Sequence, residues 1–247
     1  MSLKDEFLKS LIGQQKDGKI RFALDDHGDI THLIKRVDPR CREVYEKLAA
    51  LRSPYLPAVL LMKEVDGALE VHEEYIRGQT LEAYAQEQGP LDDETLRQVA
   101  FDVAQALRLL HSTQPPIIHR DVKPQNILRR ENGRFVLIDF DAARLYDADA
   151  DTDTRCIVTM GYAAPEQYGL AQTDVRSDLF SLGVTLYEMK TGEHYVMGAK
   201  CEGALHAVIA RCTAFDPKKR YASAEELLRA LDAQTPAGKK RRLRRGV

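Results

Sequence analysis

The sequence predicts an α+β fold of two lobes, a small strand-rich first part and a larger helical second part. Three observations predict it. About the first ninety residues read as strands with little helix, Lys19 to Leu24 alternating polar and apolar with period two. From Pro90 onward apolar residues recur at i, i+3 and i+4, the spacing of helices. The chain, at 247 residues and 44% hydrophobic, is long enough to bury a sizeable core. One domain is expected over 1–235, with lobes at about 1–76 and 77–235. A basic tail at 236–247 is set off by Pro236 and Gly238. A cleft at such a lobe junction is a favoured ligand site.

The elements follow in order. Lys19 to Leu24 and Ile30 to Val37 read as strands, with Asp25-Asp26-His27-Gly28-Asp29 as the turn between them. A short helix places Val44, Leu48 and Leu51 on one face. Val59 to Met62 and Leu69 to Tyr75 are two more strands. Asp92 can cap a helix carrying Leu96, Val99, Val103, Leu107 and Leu110. Ile117 to Ile138 is strand-rich but broken by polar loops. Asp178 to Met189 is apolar on most sides, as a buried helix is. Leu205 to Cys212 and Ser223 to Leu231 are amphipathic, the latter opening on a Ser223-x-x-Glu226 capping box.

Composition excludes several classes. No apolar run approaches the ~18 residues of a membrane helix. Met1 to Glu6 lack the basic start and apolar middle of a secretory signal, so a cytoplasmic location is expected. Cys41, Cys156, Cys201 and Cys212 form no CxxC pair and read as reduced thiols rather than a zinc site. The formal net charge is −2, yet the tail alone holds six positive charges (Lys239, Lys240, Arg241, Arg242, Arg244, Arg245) and no negative ones. Removing those six leaves the rest at −8. An acidic body argues against nucleic acid as a partner. The tail itself has three readings: a solvated terminus, a contact with anionic lipid, or the cytoplasmic flank of a membrane anchor.

Chemistry concentrates in His119-Arg120-Asp121-Val122-Lys123-Pro124-Gln125-Asn126. Thirteen residues after Asn126 comes Asp139-Phe140-Asp141, preceded by apolar Val136-Leu137-Ile138. A phosphoryl group in transfer spreads negative charge over its oxygens, so its site needs cations. A hard divalent ion wants oxygen ligands, which Asp139 and Asn126 supply. An acceptor hydroxyl needs a group to take its proton, which Asp121 can do. In this ordered set the sequence resembles the protein-kinase family, with Lys123 as in its serine/threonine class and Gly161-Tyr162-Ala163-Ala164-Pro165-Glu166-Gln167 similar to its compact bacterial members.

The resemblance covers roughly residues 12 to 231 and implies a bilobal kinase fold using ATP with Mg²⁺ or Mn²⁺ on protein Ser/Thr hydroxyls. It makes Asp121, Lys123 and Asn126 catalytic, Asn126 and Asp139 metal ligands, and Asp139 part of the nucleotide site with Leu128. It gives His119, Arg120 and Phe140 supporting roles. Val158-Thr159-Met160-Gly161-Tyr162-Ala163-Ala164-Pro165-Glu166 resembles the end of an activation segment. There Thr159 would bridge Asp121 and Lys123, and Glu166 would pair with Arg220. Asp178 matches the buried aspartate that braces the catalytic loop. Arg120 is expected to receive a phosphate carried by Thr152 or Thr154.

The first lobe matches less closely. Ile12-Gly13-Gln14-Gln15-Lys16-Asp17-Gly18-Lys19-Ile20 resembles the glycine-rich loop, making Ile12, Gly13, Gly18 and Ile20 nucleotide contacts. Gln15 stands where the family has its second glycine. Lys35, twenty-two residues after Gly13, is the candidate for the phosphates. Leu33 replaces a small alanine. Glu74-Tyr75-Ile76 resembles the adenine hinge, so Glu74 and Ile76 join the site and Glu73 takes the gatekeeper position. A carboxylate there needs a partner or is pushed toward its neutral form. The helix glutamate expected to meet Lys35 falls at Val44, and neither Glu43 nor Glu46 can be assigned the duty. Asp141 replaces the glycine after Asp139-Phe140. These departures keep a second reading open, a pseudokinase that binds nucleotide or partners without efficient catalysis.

Overall fold

The computed structural model of the chain describes residues 19–147, 159–168 and 172–233. Strands β1 (Ile20–Leu24) and β2 (Ile30–Val37) form the first hairpin. Its turn is closed by the Asp25 carboxylate, which accepts the N–H groups of His27 and Asp29, each at 2.9 Å. Strands β3 (Val59–Val65) and β4 (Ala68–Glu74) form the second hairpin. The four make one antiparallel sheet in the order β1-β2-β4-β3, so β4 is an interior strand.

Registration of β2 on β4 sets Leu33 opposite Glu73 and Lys35 opposite Val71. Side chains alternate across a sheet, so Lys35 and Glu73 share one face as diagonal neighbours, within reach of long side chains. Helix α1 (Arg42–Ala50) lies between the hairpins and is entered through a single 3-10 turn, Pro39–Cys41. It buries Val44, Tyr45 and Leu48, whereas Leu51 is already extended beyond the helix end.

The stretch before Pro90 holds more helix than its sequence pattern predicts. After β5 (Gly78–Thr80), helix α2 (Leu81–Gln88) starts where the Thr80 hydroxyl accepts the N–H of Ala83 at 3.1 Å. Strand β5 belongs to a second sheet, β5-β7-β8, with β7 (Ile127–Arg130) and β8 (Phe135–Leu137). Gly78 is required for that pairing, since a Cβ there would lie 2.0 Å from the Arg129 carbonyl oxygen. A short pair, β6 (Ile117–Ile118) with β9 (Arg144–Leu145), lines the approach to the catalytic segment.

Helix α3 (Asp93–His111) starts at Asp92, whose carboxylate accepts the N–H groups of Glu94 and Thr95 at 2.9 and 2.8 Å. Its predicted apolar stripe is buried in full. Helix α4 (Val175–Thr191) is buried on nearly every side. Gly183 lets α5 (His206–Cys212) approach, because a Cβ at that point would meet the Cys212 Cβ at 2.5 Å. The last helix, α6 (Ala224–Ala233), opens on half of the expected capping box. Ser223 accepts the N–H of Glu226 at 3.2 Å, but the Glu226 carboxylate reaches one residue further, to the N–H of Ala222 at 2.8 Å. One apolar core runs from α1 and β4 through α3 and α4 to α6. The fold is thus an α+β assembly with a sheet-built first lobe and a helical second one.

Candidate active site

The site is assembled on α4. Asp178, wholly buried in its first turn, accepts the backbone N–H groups of His119 at 2.9 Å and Arg120 at 2.8 Å. His111, at the end of α3, meets the same carboxylate at 2.8 Å. Burial alone would raise the Asp178 pKa. The bond to His111 and the backbone donors overrule it, so the group lies below the usual aspartate range. This grip holds Arg120 at φ +67°, a left-handed conformation that non-glycine residues avoid. The chain turns there and projects Asp121 into the cleft.

Asp121 sits in a ring of donors. Its Oδ1 accepts the Thr159 hydroxyl at 2.6 Å, while its Oδ2 takes Lys123 Nζ at 2.8 Å and Asn126 Nδ2 at 2.8 Å. Lys123 Nζ also donates to Thr159 Oγ1 at 3.2 Å. Partial burial pushes the Asp121 pKa up, but Lys123 and Thr159 outweigh it and the carboxyl is held below the normal range. The Asn126 amide spends both donors on Asp121, the second on its carbonyl at 2.9 Å. Its Oδ1 is therefore the atom left for a cation.

Asp139 is also left-handed, at φ +68°, and its side chain keeps 39% of its surface open to the cleft. Phe140 turns the other way. It is buried edge-on between the His119 ring (centroids 5.2 Å apart) and Tyr45 of α1 (6.3 Å). The His119 ring spans the gap beneath, with Nε2 at 3.2 Å from the Ile138 carbonyl and Nδ1 accepting the Asp121 N–H at 3.3 Å. Burial pushes its pKa down, which fits that neutral tautomer. Asp141 is pushed up to about 6 by loss of hydration and then by repulsion from Asp139.

On the sheet side, Lys35 is buried with Nζ 3.1 Å from Glu73 Oε2 and 3.9 Å from Asp139 Oδ1. Ile20 stands opposite Lys35 in the β1–β2 register. Ile76 and Leu128 pack together with Val136 beneath the hinge. Glu74 uses its carboxylate on Arg130 at 2.8 Å, and its backbone N–H bonds the Ala58 carbonyl at 2.8 Å. Gly13, Gly18 and Ile12 lie outside the described residues, as do Gln15, Thr152, Thr154 and Cys156.

The segment carrying Thr159 is locked to the helices by Glu166 and Arg220, both buried. Arg220 Nη1 and Nη2 meet the two carboxylate oxygens at 2.6 and 3.0 Å, and Ser177 donates to Oε1 at 2.8 Å. Among the described residues no group of three His, Cys, Asp or Glu side chains could hold a metal alone. A magnesium ion does not need one, because it keeps waters and shares phosphate oxygens with one or two protein oxygens. The open Asp139 carboxylate and the spare Asn126 oxygen fit that donor set.

A family model for the protein kinase domain matches residues 36–231. The chain belongs to the protein kinase family. This kinase domain is 33% identical over 233 residues to the serine/threonine-protein kinase PknB of Mycobacterium leprae, covering 81% of this chain and 37% of that one. It is 34% identical over 177 residues to serine/threonine-protein kinase F of Synechocystis, covering 65% and 35%. To a probable serine/threonine-protein kinase of Clostridium perfringens it is 39% identical over 146 residues, covering 59% and 21%. The kinase domain therefore spans little more than a third, or less, of the length of these relatives. The family as a whole uses ATP and a divalent cation and acts on proteins.

Two residues of the kinase site, and the partner of a third, escape sequence reasoning. His111 contacts the bracing Asp178. Gln167, buried, accepts the Ala164 N–H and donates to the Arg120 carbonyl, each at 3.0 Å, tying the segment to the catalytic loop. Glu73 is the third. The sequence shows that it needs a partner, and strand register supplies that partner as Lys35.

Proposed function

We propose that this kinase domain is catalytically active, transferring the γ-phosphoryl group of ATP to serine or threonine hydroxyls of proteins, its own included. The observation that carries the reading is the Asp121 carboxylate, bonded at once by Thr159, Lys123 and Asn126 and still ionised. A carboxylate so oriented can take the proton of an acceptor hydroxyl as the new P–O bond forms. Lys123 offsets the charge that grows on the transferred group. Lys35 holds the α- and β-phosphates, while Ile20, Ile76 and Leu128 give the adenine apolar surfaces and Glu74 opens the hinge backbone to it. Asn126 and Asp139 would hold Mg²⁺ or Mn²⁺, which supplies Lewis-acid neutralisation of the phosphate oxygens when bound. His119, Arg120, Phe140, Asp178, Glu166 and Arg220 keep this arrangement rigid.

Labelled γ-phosphate transfer to a generic basic protein and to the chain itself, with Mg²⁺ or Mn²⁺, tests the reading. Loss of transfer in Asp121→Ala and Asp139→Ala is expected. The scaffold reading is favoured by Asp141, a carboxyl crowding Asp139 where glycine is usual. Nucleotide binding with no transfer by the wild type would select it.

The kinase unit spans 1–235 on this reading and works at the cytoplasmic side, with tail 236–247 attracted to anionic lipid. Among the described residues no helix is long and apolar enough to cross a membrane. Co-sedimentation with phosphatidylserine vesicles, full chain against one ending at Thr235, tests the tail, and equal partitioning rejects that role.

A further inference from the structure

Lys35 is a buried cation, and a buried ammonium without a counter-charge sheds its proton. A neutral amine would lose most of its hold on a polyphosphate. The helix that is expected to provide the counter-charge does not. Glu43 and Glu46 of α1 are both exposed, and Glu46 faces Arg42 at 3.9 Å. The inward face of α1 carries Val44, Tyr45 and Leu48 instead. Asp139, 3.9 Å from Lys35, is half open to the cleft and is the group proposed to hold metal.

Glu73 remains. It is 2% exposed, stands on interior strand β4, and meets Lys35 Nζ at 3.1 Å. The two residues come from adjacent hydrogen-bonded strands, β2 and β4, so their separation is fixed by sheet register. A helix packed on a sheet by side chains can shift, but two strands of one ladder cannot shift without breaking backbone hydrogen bonds.

We infer that Glu73 is the positioning residue for Lys35, supplying from within the sheet the carboxylate that α1 lacks, so that the lysine is held ready for nucleotide phosphates whatever the position of α1. The inference rests on the reading of Lys35 as the phosphate-binding lysine. A further observation supports it. Among the described residues the second Glu73 oxygen, Oε1, is buried without a hydrogen bond, and the ion pair of this carboxylate is with Lys35. A buried carboxylate at the gatekeeper position is costly in isolation, and the pairing explains its presence there.

The test compares wild type with Glu73→Gln, Glu73→Asp and the α1 double variant Glu43→Ala, Glu46→Ala. Trace acetylation of Lys35 by acetic anhydride at pH 9 is read on its peptide by mass spectrometry, and MgADP affinity is measured by calorimetry. Glu73→Gln is expected to speed Lys35 acetylation about fivefold or more and to weaken MgADP about ten- to a hundredfold, matching the loss of a charge-assisted bond. The α1 double variant should change each by less than twofold. Glu73→Asp keeps a charge in the core and should restore slow acetylation in part. It also keeps the test open should Glu73→Gln not fold. Unchanged acetylation and MgADP affinity in Glu73→Gln would overturn the inference, and if only Glu73→Asp folds, so would a loss of MgADP affinity in the α1 variant larger than that in Glu73→Asp. So would a loss in the α1 variant equal to that in Glu73→Gln. If the wild type transfers no phosphate while acetylation and affinity shift as expected, the pairing stands and the catalytic reading fails.

Discussion

Arg220 grips Glu166 through two parallel bonds, at 2.6 and 3.0 Å, with the guanidinium almost wholly shielded from water. The same guanidinium donates to the carbonyls of Ala214 at 2.8 Å and Phe215 at 3.1 Å and lies over the Phe180 ring at 4.7 Å. Removing one partner leaves the other charge buried and unpaired, which costs about 3–5 kcal/mol. Arg220→Met should therefore lower stability by about that amount, read by urea unfolding. A change within about 0.5 kcal/mol, the size of a surface effect, would mean the pair does not lock the segment.

Asp178 offers a second test through geometry alone. Its two oxygens accept from His119, Arg120 and His111, whereas an asparagine would present one oxygen and one NH₂ to the same donors. Asp178→Asn should cost about 1–3 kcal/mol for each backbone N–H left unpaired. It should also release Arg120 from its left-handed turn, which abolishes phosphate transfer. Thermal unfolding and the transfer assay together check both parts.

Thr159 should separate chemistry from nucleotide binding. Its hydroxyl bonds Asp121 at 2.6 Å and receives Lys123 at 3.2 Å. Hydrogen bonds to charged groups contribute about 1.5–3 kcal/mol, equivalent to roughly ten- to a hundredfold in rate. Thr159→Ala is expected to lose about that factor in kcat with the KM for ATP little changed, and Thr159→Ser to recover most of it. Steady-state kinetics with varied ATP reads both parameters.

Acid sensitivity follows from His119. Burial lowers its pKa below that of the unfolded chain, where histidine protonates near ~6.5. The folded value is depressed, so this stabilisation is complete above about pH 6.5 and is lost as pH falls toward the folded value. Thermal midpoints should drop between about pH 7.5 and 5.5. Burial lowers His72 too, with the same sign. The contribution of His119 is therefore read as the difference from His119→Gln, whose profile should be flatter. Parallel profiles would contradict the assignment.

Much of this site is legible in the sequence because its parts are local. Asp121, Lys123 and Asn126 fall within one short loop, so their order along the chain nearly fixes their order in space. Asp92 and Ser223 announce helix starts by residue type alone, and their backbone bonds form as expected. Glu73 is different. Its partner is 38 residues away, and only the register of β2 on β4 brings them together, which no local pattern encodes. Helix α2 was hidden for another reason. It buries Leu81 alone, so it has no apolar stripe to reveal its period.

On the proposed reading the Asp121 cluster performs phosphoryl transfer. Its most direct test is single-turnover transfer from labelled ATP with Mg²⁺, wild type against Asp121→Asn, with MgADP affinity measured for both. Phosphoserine or phosphothreonine is expected from the wild type, with a loss of about a hundredfold or more in Asp121→Asn and equal MgADP affinity. Nucleotide bound by the wild type without transfer, or equal rates in the two proteins, would contradict it.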